Sequence, residues 1–155
     1  MFLIYKPINK ITFVACFLLA LTKLLGTSFA FDSIEQIVGD GSDATTAPYI
    51  FKRCGMLYLS MSENFKVRNN PSEKAIIEEL GARASLFIST GRQLEQNNYP
   101  AVTEKNHIRQ LELISQMYVS EMETSWAKTG SKISPNITKD LETCTSLLDV
   151  VFNRE

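Results

Sequence analysis

Beyond residue 46, apolar side chains recur three and four positions apart in four successive runs, the period of helices that each bury one face. The first run is the most apolar outside the N-terminus. Ile50, Cys54, Leu57, Met61 and Phe65 form the stripe of a helix predicted from about Ala47 to Phe65, with Pro48 in its first turn, where a missing N–H costs nothing. Tyr49, Phe51, Met56, Tyr58 and Leu59 widen that stripe until Lys52, Arg53, Ser60 and Ser62 are the polar remainder. So apolar a helix is either buried on two sides or meets a partner.

The second run has the clearest start. Asn70 is placed as N-cap, Pro71 as the first helical residue, and Glu73 as the acid that reaches back in a capping box. Its predicted core face is Ile76, Leu80, Ala84, Phe87, Gly91 and Leu94, ending near Gln96. Thr103 caps a third helix that runs to about Thr129 and stops at Gly130, with Ile108, Leu111, Ile114, Met117, Tyr118, Met122 and Trp126 as its core stripe. Ser134-Pro135 repeats the device of cap and leading proline. The fourth helix reaches about Phe152 and carries Ile137, Leu141, Cys144, Leu148 and Val151 on one face.

Short connections between these runs favour antiparallel neighbours. The expected fold is all-α, a four-helix up-down-up-down bundle following a cleaved signal peptide. Residues 1–30 are the leader, 31–46 an N-terminal segment and linker, and 47–155 the helical bundle domain. Within 31–46, Ile34, Ile37 and Val38 are spaced for one helical turn that could dock on the bundle, and Gly39-Asp40-Gly41-Ser42-Asp43 is a turn-forming polar run.

The leader is read from its charge and hydropathy. Lys6 and Lys10 precede an apolar stretch, Ile11–Thr22, and Ser28-Phe29-Ala30 supplies the small residues before a cleavage site after Ala30. The apolar stretch is broken at Lys23 and is shorter than the roughly 20 residues of a spanning helix. Membrane contact is therefore expected only through an uncleaved leader. Cys16 leaves with it, which makes Cys54 and Cys144 the two cysteines of an exported chain. In an oxidising compartment they should form one disulfide between the first and last helices. Its loop of about 90 residues would be worth roughly 4–5 kcal/mol in the chain-entropy model. Localisation is expected to be exported, with the periplasm favoured over full secretion.

Charge narrows the partners. Three of the 16 basic residues lie in 1–30, where there is no acid, so 31–155 holds 13 basic against 17 acidic side chains. Without a basic stripe no nucleic-acid partner is expected. The chemistry is sparse as well. One histidine, His107, placed on the polar shoulder of its helix, cannot build a metal site with two bridged cysteines, and no Cys-x-x-Cys-His haem motif occurs. No metal and no cofactor is expected. Neither a nucleophile elbow nor a phosphate-cradling glycine loop is present, so the reading leans away from an enzyme.

Two surfaces remain as candidates. Tyr49, Phe51, Tyr58 and Leu59 are surplus apolar side chains that could form a partner surface. Gly81, Ala84, Ser85 and Gly91, with Arg83 and Arg92 beside them, could leave a groove for a small, anionic ligand, or simply admit a close-packed neighbour. The first points to an exported non-enzymatic helical protein acting through contact with another exported or envelope protein, as partner, inhibitor or chaperone-like module. The second points to a periplasmic small-ligand-binding bundle.

Overall fold

The four capped runs form helices close to their predicted bounds, and the acidic–apolar piece before them forms a fifth. A computed structural model describes residues 31–39, 46–68 and 70–152; the expected leader and most of the Gly39–Asp43 turn lie outside the described residues. The elements are α1 (Ile34–Gly39), α2 (Thr46–Arg68), a single 3₁₀ turn at Pro71–Glu73, α3 (Lys74–Asn98), α4 (Glu104–Thr129) and α5 (Pro135–Phe152). No strand occurs among the described residues, and none of their helices is long and apolar enough to cross a membrane.

The helix ends follow from local chemistry. Asn70 Oδ1 accepts from the Ser72 backbone N–H at 3.1 Å, and Thr103 Oγ1 from that of Asn106 at 3.3 Å. Ser134 Oγ accepts from the Ile137 N–H at 3.2 Å, just before the leading proline of α5. Gly130 ends α4 with φ 73°, a left-handed turn that a residue with a Cβ adopts only at a cost. α2 extends three residues past Phe65 because Lys66 and Arg68 sit in its last turn, where cations suit the helix dipole.

α2 is the centre of the unit formed by residues 31–155. Every residue from Phe51 to Tyr58 is buried, so this part of the helix has no solvent face at all. Its most extensive packing is on α3, then on α4, with smaller contacts to α5, while α1 packs on α5. α3 runs antiparallel to α2: Gly55 lies against Ala84 and Ile88, and Gly91 against Pro48 and Lys52. α4 runs in the same sense as α2, since Lys52 meets Gln110 near one end and Asn64 meets Met122 near the other.

That arrangement differs from the expected ring of neighbours. In an up-down-up-down bundle the first and third long helices lie diagonally, yet α2 and α4 pack together. The consecutive pairs α3–α4 and α4–α5 pack less closely than either partner does on α2. The physical reason is the composition of α2, which offers apolar surface all round and is therefore covered from several sides. The expected link between the first and last long helices is present. Cys54 and Cys144 are disulfide-bonded with Cα atoms 5.5 Å apart, and both are fully buried. Around them, Leu57, Phe87, Tyr118 and Ile137 complete a core in which the Phe87 ring lies 5.6 Å from Phe51 and 5.7 Å from Tyr58.

Candidate functional site

Lys52 and Arg53, expected on the solvated side of α2, are each only 1% exposed. Adjacent residues on a helix point about 100° apart, so the two cations face different neighbours, Lys52 toward α3 and Arg53 toward α5. Each meets a carboxylate that the sequence reading had not singled out. Arg53 donates from Nε (3.1 Å) and Nη2 (2.9 Å) to Asp140 Oδ2, and from Nη2 to the Asp32 carbonyl. Tyr118 donates its hydroxyl to the same Asp140 oxygen at 2.6 Å, and the Ile34 N–H donates to the other at 2.7 Å. Phe31 closes the cluster, its ring 4.7 Å from the Arg53 guanidinium and 5.3 Å from the Tyr118 ring. Asn136 Nδ2 donates to the Phe31 carbonyl at 2.9 Å. Residues 31–34 thus act as a strap that supplies backbone partners to a buried ion pair.

Burial alone would lower the Arg53 pKa, but Tyr118 and Asp140 outweigh it and hold the guanidinium above its ordinary value. Burial pushes the Tyr118 phenol well above its usual range; Arg53 opposes that rise and Asp140 reinforces it.

Toward α3, Glu95 Oε1 accepts from Lys52 Nζ, and Oε2 from Arg92 Nη1 and His107 Nδ1, both at 3.1 Å. An ionised carboxylate only accepts, so the proton of this contact lies on His107 Nδ1. Gln110 Oε1 takes a further hydrogen bond from Lys52 at 2.6 Å. His107 is therefore not on a polar shoulder: it is 5% exposed and held in a buried cluster. Burial raises the Glu95 pKa, but hydrogen bonds from Lys52 and Arg92, the Lys52 charge and the His107 contact together hold it below the ordinary carboxylate value. In both clusters the central charged side chains are buried and hydrogen-bonded to one another.

The six residues of the expected ligand groove do not line one cavity. Ala84 is buried against Gly55, and Gly91 faces Lys52 and Pro48, where an added Cβ would come within 3.1 Å of backbone atoms. Close packing of α3 on α2 fills this space. Gly81 faces open space, and Ser85 is exposed with its hydroxyl donating to the Gly81 carbonyl. Arg83 pairs with Glu79, and Arg92 with Glu95 and Glu104. The four residues of the expected partner surface divide too. Phe51 and Tyr58 belong to the core, while Tyr49 and Leu59 are half-buried against it.

Large apolar side chains are exposed at several places, and three of them border one groove at the C-terminal end of α2. Trp126, expected in the core stripe of α4, is 58% exposed; Val67 is 84% exposed and Ile133 41%. With Met61, Phe65 and Met122 they border a groove of about 500 Å³ between the ends of α2 and α4 and the loop after Gly130. A second depression of about 240 Å³, bordered by Leu59 and Val119, adjoins it through Asn64, Val67, Met122 and Lys132. Asn64 anchors the floor by donating to the Ser60 carbonyl at 2.9 Å and to Met122 Sδ at 3.2 Å, and it accepts from Lys132. The loop is shaped by Ser131, whose N–H donates to Thr129 Oγ1 and whose Oγ accepts from the Ile133 N–H, each at 3.1 Å.

Ile108, also expected in the core stripe, is 47% exposed. Both exposures have one cause: the α4 face that meets α2 is narrow, centred on Ile114, Tyr118 and Met122. Two missed signals were nonetheless present. Asp140 lies three residues after Ile137 and four before Cys144, within the α5 stripe, and Glu95 follows Gly91 by four on that of α3. An acid inside an apolar stripe calls for a buried cation. Compared with known proteins, the chain matches no family model, no curated protein and no solved structure.

Proposed function

We propose that this protein is an exported, non-enzymatic helical module that acts through contact with another protein, and that the groove at the end of α2 is its contact face. The observation that carries the reading is the clustering of Val67, Trp126 and Ile133, three large apolar side chains left exposed side by side. Single exposed apolar residues are ordinary, whereas contiguous ones mark interaction surfaces. The buried Cys54–Cys144 bond supports the exported part, because such bonds persist in oxidising compartments.

The test is affinity purification of the tagged protein from its native compartment, comparing wild type with Val67→Lys/Trp126→Ser. Val150→Ser, a substitution of an exposed apolar residue away from the groove, is the control. A protein that co-purifies stoichiometrically with wild type and the control, and is lost from the double variant, is the expected result. Retention of that protein by the double variant rejects the groove as the contact face.

A further inference from the structure

Resting on the reading of the groove as a contact face, we infer that its partner is an acidic amphipathic segment of another protein. Such a segment would place two or three apolar side chains on the groove floor and carboxylates at its edges. The argument is one of charge. Among the side chains that border the larger groove, the charged ones are Arg68 and Lys132, and no carboxylate is among them. Lys132 is engaged by the neutral amide oxygen of Asn64, so its charge is not compensated there. Arg68 lies 5.2 Å over the Phe65 ring with its side chain 61% exposed, and its contact with Glu73 is a loose 3.9 Å. The acids of the adjoining depression, Glu63 and Glu123, do not border the larger groove, and Glu63 is already paired with Lys66.

An apolar floor with a cationic rim selects an apolar segment flanked by negative charge, the usual pattern when an amphipathic helix docks in a groove. The leader is electrostatically the wrong occupant, since residues 1–30 carry three lysines and no acid. A second copy docked symmetrically would bring two Arg68/Lys132 rims together, which costs energy.

The full mature chain can report on its own groove, because Trp126 is its single tryptophan. Three tryptophan-free synthetic peptides are titrated against it while Trp126 emission is followed. The first has leucines at helical spacing flanked by glutamates, the second has the same leucines flanked by lysines, and the third has the glutamates with serines in place of leucines. The expected result is a saturable blue shift with the leucine–glutamate peptide. Binding of the leucine–lysine peptide should be at least about tenfold weaker, with no shift from the serine peptide. Raising salt should weaken the first interaction.

Arg68→Glu/Lys132→Glu, checked for helicity by circular dichroism, should invert the preference between the two leucine peptides. If both leucine peptides bind wild type equally and salt has no effect, the acidic partner is overturned while the contact face stands. If no peptide shifts Trp126 but a short aliphatic alcohol does, the groove is a small-molecule pocket and the underlying reading fails with it. Concentration-dependent dimerisation that buries Trp126 would replace the partner by a second copy and overturn the inference.

Discussion

Removing the Asp140 carboxylate tests the central claim about how this fold is held. The carboxylate receives two donors from Arg53, one from Tyr118 and one from the Ile34 backbone, at distances between 2.6 and 3.1 Å, and it is fully buried. In Asp140→Ala the Arg53 cation stays at a site 1% exposed, with the Tyr118 hydroxyl, the Asp32 carbonyl and the Phe31 ring as its remaining partners. Stranding one member of a buried pair costs about 3–5 kcal/mol, against a total of about 5–15 kcal/mol for a domain. For a chain of this size that corresponds to a fall in Tm of roughly 10–20 °C.

Urea unfolding followed by far-ultraviolet circular dichroism, with the disulfide intact, measures it as a lower midpoint at unchanged slope. Arg53→Met/Asp140→Leu separates charge from packing. If the loss comes from a stranded cation, the double variant recovers most of it, less about 1 kcal/mol for each donor, Tyr118 and Ile34, left without an acceptor. A loss below about 1 kcal/mol in Asp140→Ala, the range of a solvent-exposed pair, would refute the buried-pair account. A double variant no more stable than the single one would mean that the strap and Tyr118, and not the ion pair, carry the effect.

Other outcomes follow from the same geometry. Replacing Cys54 and Cys144 by alanine opens a loop between residues 90 apart, and should lower stability by up to about 4–5 kcal/mol; a change under 1 kcal/mol by urea midpoint would show the bond to be dispensable. Because the Glu95 pKa is depressed on folding, its contribution is complete above the unfolded value of about 4.3 and is lost as pH falls through the lower folded value. Acid titration of stability should therefore fall more steeply below about pH 4.3 in wild type than in Glu95→Gln, and parallel acid limbs would contradict this. Gly55→Ala should cost about 1–3 kcal/mol or more, since the new Cβ would stand 2.5 Å from Ile88 Cγ1 and 3.1 Å from the Ala84 carbonyl oxygen. Gly81→Ala, which meets open space in the same packed pair of helices, should instead stabilise by about 0.5–1 kcal/mol; equal signs in thermal melts would disprove the close approach.

The boundaries of this fold were written locally, and its charge pairing was not. Asn70, Thr103, Ser134 and Gly130 act within three or four residues of themselves, so each helix end could be read from a short window. The cysteine pairing was legible because two cysteines on two apolar stripes leave one intramolecular solution. Lys52 and Arg53 failed for a definite reason: a stripe argument assigns polar residues to water, and the Phe51–Tyr58 stretch of α2 has no watered face. His107 failed with them, because its burial depends on Glu95 and Lys52, which come from two other helices. Trp126 has helical spacing from Met122 and Tyr118, yet it stands 58% exposed beside the last residues of α2, with which it borders the groove. Periodicity identifies a face and says nothing of how wide a contact the neighbour makes.

The two halves of α2 are held in different ways. Near Arg53 and Cys54 the helix is tied to α5 by a disulfide and an ion pair, to the strap by the Phe31 ring and the Asp32 carbonyl, and to α4 by Tyr118. Those interactions are directional, so they fix how the surrounding helices are seated where apolar packing alone would tolerate sliding. Toward Arg68 the polar ties among the described residues include Ser62 to the Ile77 carbonyl, Asn64 to Lys132 and Met122, and a loose contact with Glu73, while Val67 and Trp126 stand exposed. On the proposed reading, the directional ties at one end would hold the groove at the other in a fixed shape and lower the ordering cost of docking a partner there.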